Sequence, residues 1–262
     1  MKRIIPFVDH EIGYMLLKRL ISHSEAGLFE IPAVVTSCEN GAAWWPGVGD
    51  LCAEAKIPLL IYEAKFLKKI SMLEVDWFLL LSWKYILPPE LIGFPIHGAL
   101  NLHYSLLPSF RGVYPVNWAI IEGKSTTGIT YHFVNEEIDG GDVFMQVEIP
   151  VRLSDTARTL QSRLDEVAYD YFDEFIERLL NFRSEKNCVN TGKKSNNTSG
   201  YYSRELFENI CALDFDKKYR FIDLYNILRG LTFFHDSSNA YVINEETGKK
   251  IYINIELREE EQ

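Results

Sequence analysis

Short apolar runs alternate with amphipathic segments through the first part of the chain. The run from Trp77 to Leu81 is apolar at every position, which is typical of a strand buried on both faces of a parallel sheet. Further strands are predicted in RIIPF, IPAVVTS, PLLIY and GALNLH, with helical segments between them. This alternation predicts an α/β fold built on a doubly wound, mostly parallel sheet.

Two polar segments follow predicted strands. They run from Ser82 to Pro88 and from Asn101 to Pro108. In sheets of this type, ligands bind at the carboxyl ends of the strands. We therefore expect both segments to border one cleft.

The middle of the chain predicts two more strands and a long helix. TTGITYHFVNEEIDGGDVFMQVEIPV alternates apolar and polar positions on either side of a Gly-rich turn at Asp139 to Asp142. Downstream, an apolar stripe predicts one helix with Ser154 or Asp155 as its N-cap. We predict that the main domain covers residues 1–182.

A polar, turn-rich linker at residues 183–200 separates this domain from a tail at residues 201–262. The tail predicts a helix in DKKYRFIDLYNILRGLT and a β-hairpin around the turn Glu245 to Gly248. A helix and a hairpin bury little surface by themselves. The tail must therefore pack on the main domain or on a second copy of itself.

Charge and composition narrow the class of protein. The 262-residue chain has a formal net charge of −10 and a pI near 5.2, which argues against a nucleic-acid partner. A few cations in one cleft can still hold an anionic small molecule. No apolar run is long enough for a membrane helix, and the start of the chain predicts a strand better than a signal peptide. Four scattered cysteines without metal-ligand spacing predict reduced thiols in the cytoplasm and no metal site.

Asn101, His103 and Asp139 are the candidate chemical groups. Taken singly, His103 has the alternative of a histidine hydrogen-bonded inside a loop, and Asp139 that of a turn carboxylate. Together, an amide, an imidazole and a carboxylate are the groups needed for acyl transfer to an amine. The imidazole removes a proton from the nitrogen, the carboxylate orients the imidazole, and the amide N–H stabilises the oxyanion.

The motifs that carry these residues, NLHYSLLPSFRG and NEEIDGGD, resemble those of the folate-dependent formyltransferases. The resemblance covers about residues 1–180. It implies that Asn101, His103 and Asp139 are catalytic and that 10-formyltetrahydrofolate is the formyl donor. It also implies a donor pocket built largely from main chain, with the residues Leu80, Ser82, Tyr85, Ile86, Leu87, Val134, Glu136 and Asp139.

The tail resembles that of the sugar N-formyltransferases in YYSR, in NILRGLTF and in its hairpin, and WWP and SWKYILP resemble the same subgroup. This implies a nucleotide-linked amino sugar as acceptor, such as dTDP-4-amino-4,6-dideoxyglucose, for O-antigen (lipopolysaccharide) or other surface-polysaccharide synthesis. It also implies a homodimer formed through the hairpin. A methionyl-tRNA formyltransferase is expected to be longer with a basic tail, and a glycinamide ribonucleotide enzyme to end near the long helix.

A diphosphate needs cations and a base needs an aromatic platform. The predicted substrate contacts are Lys84, Ser105, Arg111, Tyr201, Arg204 and Phe233. Arg229 is a further candidate cation, with a solvated surface charge as the alternative. TFFHDSSNAY has no proline where the subgroup has one or two, which leaves the base pocket unassigned.

Several alternatives stay open. The acceptor can be a 3-amino sugar or a UDP-linked sugar. A formyltetrahydrofolate hydrolase shares the same catalytic residues, and a binding module without activity shares the fold. A Rossmann dehydrogenase is disfavoured because no G-x-G-x-x-G follows the first predicted strand, where Gly13 stands alone.

Overall fold

The structure is a computed structural model of the chain. It describes residues 1–38, 41–42, 45–63, 66–183, 200–233 and 239–258. Trp44, Phe234, Cys188 and most of the predicted linker lie outside the described residues.

The described residues form the following elements. The helices are α1 His10–Glu25, α2 Gly49–Glu54, α3 Phe66–Ile70, α4 Pro89–Ile92, α5 Pro115–Ile121, α6 Ala157–Asp170, α7 Phe172–Leu180, α8 Arg204–Cys211 and α9 Phe221–Gly230. The strands are β1 Ile4–Val8, β2 Val34–Thr36, β3 Gly41–Ala42, β4 Trp45–Pro46, β5 Leu59–Ile61, β6 Trp77–Leu81, β7 Ala99–His103, β8 Arg111–Gly112, β9 Thr126–Phe133, β10 Val143–Pro150, β11 Tyr201–Tyr202, β12 Ala240–Ile243 and β13 Lys250–Ile253.

Seven strands form one mixed sheet in the order β10-β9-β7-β6-β1-β2-β5. The five strands from β7 to β5 are parallel, and β9 is antiparallel to β7. The predicted α/β fold with a mostly parallel sheet is confirmed. The run Trp77 to Leu81 coincides with β6, and all five of its residues are buried. β6 lies in the interior of the sheet between β1 and β7, which explains why the run is apolar at every position.

The described residues divide into two compact units. Unit 1 comprises residues 1–103, 130–145 and 168–183. Unit 2 comprises residues 104–129, 146–167, 200–233 and 239–258. The domain boundaries expected at residues 182 and 201 stay a prediction.

Each unit has an apolar core. In unit 1, aromatic and aliphatic side chains of β1, β6 and α3 meet in one cluster, where Phe7 contacts the rings of Phe66 and Phe78 edge-on. In unit 2, Trp118 and Phe207 centre a second cluster. There α5 packs closely on α9. Glycine at position 230 permits this approach, since a Cβ there would lie 2.6 Å from Ile121.

The predicted long helix differs from the structure in two ways. It is interrupted at Tyr171, between α6 and α7. The apolar stripe continues across this residue, so periodicity does not reveal the break. The predicted caps are wrong, because Thr156 Oγ1 accepts the first-turn hydrogen bond, from the backbone N–H of Thr159. Asp155 instead accepts from the N–H of Arg152 and pairs with Arg163.

The predicted hairpin is confirmed as β12 paired antiparallel with β13. Cys38, Cys52 and Cys211, the three cysteines within the described ranges, form no disulfide bond with one another. Among the helices that the structure describes, none combines the length and the apolar character required to cross a membrane.

Candidate active site

Strand β7 carries two of the three candidate groups. Asn101 and His103 are two positions apart, so both side chains point to the same face of the sheet. Both residues belong to the strand itself and not to the loop after it. Across the antiparallel pair β7–β9, His132 lies opposite Asn101 and Thr130 lies opposite His103. The register therefore adds His132 to the face that holds Asn101 and His103.

His132 fixes the orientation of the Asn101 amide. Its Nδ1 lies 2.9 Å from the carbonyl oxygen of Phe133, and a carbonyl can only accept a hydrogen bond. In the neutral ring the proton is therefore on Nδ1, which leaves Nε2 as an acceptor. Asn101 Nδ2 donates to this Nε2 over 3.1 Å. The second N–H of the Asn101 amide is directed by that contact.

The Asp139 carboxylate lies between two imidazoles. Oδ2 is 3.6 Å from His103 Nδ1, and Oδ1 is 3.5 Å from His132 Nε2. The two rings are nearly perpendicular, at 88°. The side chains of His103 and Asp139 are 8% and 13% exposed. At this distance the Asp139 carboxylate can stabilise a positive charge on the His103 ring.

The Gly-rich turn holds Asp139 in place. Asp139 has a φ of 48°, in the left-handed region, where Asp is among the tolerated residues. A Cβ on Gly141 would lie 1.8 Å from the carbonyl oxygen of Phe133, so no other residue fits without moving the backbone. Phe133 also donates its N–H to the carbonyl of Asp142 over 2.9 Å. The DGGD sequence thus closes tightly onto the end of β9.

The two segments predicted to border the formyl donor lie together in unit 1. Leu80 is paired with Asn101 across β6 and β7. The side chains of Leu80, Leu87 and Val134 pack in one apolar cluster, and the N–H of Val134 donates to the carbonyl of Ala99. Since these side chains face the core, these three residues can contact a ligand only through their main-chain atoms. Tyr85, Ile86 and Glu136 are exposed, while Ser82 is half-buried.

The substrate candidates fall in both units. Lys84 belongs to unit 1, where its Nζ lies 3.7 Å from the buried carboxylate of Asp9. Arg111 and Tyr201 belong to unit 2 and are direct partners in the short pair β8–β11. Arg204 follows as the exposed first residue of α8, which Ser203 caps through Leu206 N–H. Phe233 is half-buried in unit 2, and its N–H donates to Asn239 Oδ1.

Two of the predicted contacts are buried. Ser105 is fully buried and donates its hydroxyl to the carbonyl of Ser109 over 2.6 Å, within its own loop. Its role in substrate binding stays a prediction. Arg229 is 3% exposed and donates to the carbonyls of Arg152 and Asp155 and to Asn226 Oδ1. It is neither a ligand cation nor a solvated charge. Burial lowers the pKa of the Arg229 guanidinium.

His132 is the site residue that motif reasoning missed. It stands seven positions before Asp139 and on the same strand face as Thr130. The alternation of the predicted strand was visible, but the register that brings His132 opposite Asn101 was not. Among the residues that the structure describes, no group of three or more His, Cys, Asp or Glu side chains has the arrangement of a metal site.

Comparison with known proteins gives two family matches. A formyl transferase model matches residues 24–176, and a model of the N-formyltransferase dimerization C-terminal domain matches residues 207–259. The chain is 28% identical over 237 residues to the bifunctional polymyxin resistance protein ArnA of Wigglesworthia glossinidia brevipalpis, covering 88% of this chain and 34% of that protein. It is 32% identical over 185 residues to a methionyl-tRNA formyltransferase of Thermodesulfovibrio yellowstonii, covering 67% and 59%. The chain thus spans less than two thirds of each of these relatives.

Solved structures share the fold. A sugar N-formyltransferase from Shewanella sp. FDAARGOS_354 matches with a TM-score of 0.80 and 22% identity over 100% of both chains. A 4-N formyltransferase from Francisella tularensis matches with a TM-score of 0.71 and 21% identity over 98% of both. An N-formyltransferase from Helicobacter canadensis, in complex with folinic acid and dTDP-3-aminofucose, matches with a TM-score of 0.66 and 21% identity over 89% of this chain and 81% of that one. Because the first family model matches more than half of its residues, this chain belongs to the formyl transferase family.

Proposed function

We propose that this protein transfers the formyl group of 10-formyltetrahydrofolate to the amine of a nucleotide-linked amino sugar. The preferred acceptor is dTDP-4-amino-4,6-dideoxyglucose. The observation that carries the proposal is the grouping of Asn101, His103 and Asp139 on one face of unit 1, in a chain of the formyl transferase family. The product would serve O-antigen or other surface-polysaccharide synthesis in the cytoplasm.

Each side chain has a distinct role in the proposed reaction. The acceptor amine attacks the formyl carbon of the donor, the bond from that carbon to N10 of the folate breaks, and tetrahydrofolate leaves with a proton on N10. His103 accepts the proton of the attacking amine, a role that typically contributes about 10²–10⁴ in rate. Asp139 orients the His103 ring and favours its charged form. Asn101 donates its second N–H to the negative charge that develops on the formyl oxygen, a contact typically worth about 10²–10³ in rate.

An amino-sugar acceptor is supported by the tail. The C-terminal match at residues 207–259 is to an N-formyltransferase domain, and three of the similar structures are described as sugar or 4-N formyltransferases or hold an amino sugar. In unit 2, Arg111 is the strand partner of the exposed Tyr201, and Arg204 follows Tyr201 by three residues. Arginine side chains and an aromatic ring are the residue types that suit a nucleoside diphosphate.

A methionyl-tRNA acceptor is the second candidate, favoured by the curated relative from Thermodesulfovibrio. The net charge of −10 opposes it, since tRNA binding depends on neutralising phosphates. The amine that is formylated can be at C4 or at C3 of the sugar, since the similar structures include a 4-N formyltransferase and a complex with a 3-amino sugar. The carrier nucleotide is a separate question.

The test is a formylation assay with mass spectrometry. The protein is incubated with 10-formyltetrahydrofolate and one acceptor from a panel: dTDP-4-amino-4,6-dideoxyglucose, a dTDP-3-amino sugar, a UDP-4-amino sugar or methionyl-tRNA. We expect a gain of one formyl group on the first acceptor, and none with His103→Asn. Formylation of another acceptor corrects the substrate. Formate release without any acceptor indicates a hydrolase, and folate binding without turnover indicates a binding module.

The proposed homodimer forms through the hairpin. Ile243, Ile251 and Tyr252 on β12 and β13 are exposed apolar residues in a sheet of two strands, which needs further packing to be stable. Light scattering should give the mass of a dimer, and Ile251→Glu should give a monomer. Ile96→Glu, at an exposed isoleucine of unit 1, is the control that should remain dimeric.

A further inference from the structure

The carboxyl ends of β1 and β6 are side by side. Val8 is paired with Leu81, so Asp9 and His10 leave the sheet beside Ser82. His10 and Ser82 have left-handed backbones, with φ of 58° and 62°. Non-glycine residues in this region are uncommon and persist only where the surroundings hold them, often at functional sites. The paired distortion marks this corner of unit 1.

His10 holds Ser82 directly. Its Nδ1 lies 2.9 Å from Ser82 Oγ and 3.3 Å from the Ser82 carbonyl oxygen. Burial lowers the pKa of His10, which favours the neutral ring. A neutral ring can form the hydrogen bond between Nδ1 and the Ser82 hydroxyl. The contact joins the first turn of α1 to the first residue of the segment Ser82 to Leu87.

Asp9 holds the next part of that segment. It precedes α1, yet its carboxylate does not cap the helix. It accepts hydrogen bonds from Ser37 N–H, Ser37 Oγ and Thr36 Oγ1, which fix it to the end of β2. Its Oδ2 then faces Lys84 Nζ at 3.7 Å. The hydrogen bonds hold the Asp9 carboxylate in place, so that it faces the Lys84 ammonium group and attracts it electrostatically.

Helix α1 packs so closely against the end of β6 that a side chain at Gly13 would not fit. A Cβ on Gly13 would lie 2.7 Å from the carbonyl oxygen of Leu81, the residue before Ser82. Beyond Lys84, the ring of Tyr85 stacks on Tyr62. The segment Ser82 to Tyr85 is therefore held by the side chains of Asp9, His10 and Tyr62.

We propose that Asp9 and His10 are positioning residues that hold Ser82 to Leu87 in the conformation that binds the formyl donor. The inference rests on the proposed function, which places the donor against the main chain of this segment. In this proposal Lys84 pairs with Asp9 and helps to hold the donor-binding segment, and it does not bind the diphosphate of the acceptor.

The first test is a double-mutant cycle on His10 and Ser82. Ser82→Gly removes the hydroxyl and keeps a left-handed backbone, and His10→Asn removes the ring with a residue that tolerates that backbone. The readout is the Kd for 5-formyltetrahydrofolate by calorimetry. If the competent loop conformation falls to about a tenth of the population, the Kd rises about tenfold. Each variant should show this rise, and the double variant should show no more than one of them.

The second test uses the exposed Lys84, where a folding failure is not expected. Lys84→Met should raise the KM for the formyl donor about tenfold and leave the KM for the acceptor unchanged, and Lys84→Arg should restore it. The matched control is Lys69→Met, which removes an exposed lysine that is also 3.7 Å from a carboxylate, that of Glu63.

The outcomes separate the two proposals. Wild-type protein that does not bind the folate overturns the proposed function and the positioning role with it. Wild-type binding with unchanged affinity in the variants, or additive effects in the cycle, overturns the positioning role alone. A rise in the KM for the acceptor with Lys84→Met would show that Lys84 binds the diphosphate of the acceptor, as the sequence analysis predicted.

Discussion

Asn101 donates a hydrogen bond to His132, from Nδ2 to Nε2 over 3.1 Å, across the antiparallel pair of β7 and β9. His132 is 2% exposed and its other nitrogen is bound to the Phe133 carbonyl, so the ring has one orientation and one neutral tautomer. The amide of the proposed oxyanion donor is therefore set by a residue that need not touch the substrate.

This relationship predicts a graded effect of substitutions at His132. His132→Leu leaves the Asn101 amide without its acceptor, and kcat should fall about a hundredfold, as expected for a small misplacement of a catalytic group. His132→Gln offers a side-chain oxygen as acceptor and should recover most of the rate. Steady-state kinetics on both variants test this, and equal losses in the two would contradict an orienting role.

Asp139→Asn should reduce kcat by about 10²–10⁴, because the carboxylate that favours the charged imidazole is lost. Asn tolerates the left-handed backbone at this position, so the turn should keep its shape. Thermal unfolding should therefore be close to that of the wild type. A rate within a few fold of the wild type would show that the carboxylate does not act on His103.

Gly141→Ala should destabilise the fold by about 3 kcal/mol or more, since a Cβ there meets the Phe133 carbonyl oxygen at 1.8 Å. The matched control is Gly200→Ala, where no atom of the described residues lies within 4 Å of the added carbon. Urea unfolding monitored by tryptophan fluorescence gives both values. Similar midpoints for the two variants would mean that the turn can move away without cost.

Arg229→Met should lower the free energy of unfolding by about 3 kcal/mol, because three acceptors, two of them in buried hydrogen bonds, lose a charged donor. These acceptors lie on α9 and on the loop from Arg152 to Asp155. Arg220→Met removes an exposed ion pair with Asp223 in the same unit, and its unfolding midpoint should stay at the wild-type value. A stable Arg229→Met protein with lost activity would instead point to a ligand contact.

Asp173 predicts an acid-sensitive component of stability. Hydrogen bonds from Arg19, and less strongly from His23, lower the pKa of Asp173 to about 2. Because the folded-state pKa lies below the unfolded value, this contribution is present above about pH 4 and is lost as the pH falls toward 2. Partial exposure limits it to about 1 kcal/mol.

Asp173→Asn tests this directly. The variant should be less stable than the wild type at about pH 6, and the difference should shrink as the pH falls through the range from about 4 to 2. Urea unfolding at several pH values gives the curve. A difference that does not depend on pH would assign the effect to packing and not to the charge of Asp173.

The pattern of apolar and polar residues was enough to predict the strands named below, because burial requires apolar residues at regular positions along each element. Trp77 to Leu81 became β6 without change of bounds, since a strand between two neighbours is apolar at every position. The two strands around Asp139 and the tail hairpin followed from alternation and turn residues in the same way. The spacing of Asn101, His103 and Asp139 within their motifs was enough to indicate the family.

Only the tertiary structure decided which distant residues meet. The register of β7 on β9 placed His132 opposite Asn101, and a shift of one residue would have turned it to the other face. Burial of Arg229 changed a predicted ligand cation into a structural group, and burial of Ser105 gave its hydroxyl a partner within its own loop. The sequence alone thus determined strands, turns and the motif of the proposed catalytic residues through local chemistry. Which residues contact each other was decided by sheet register and packing, which depend on residues far apart in the chain.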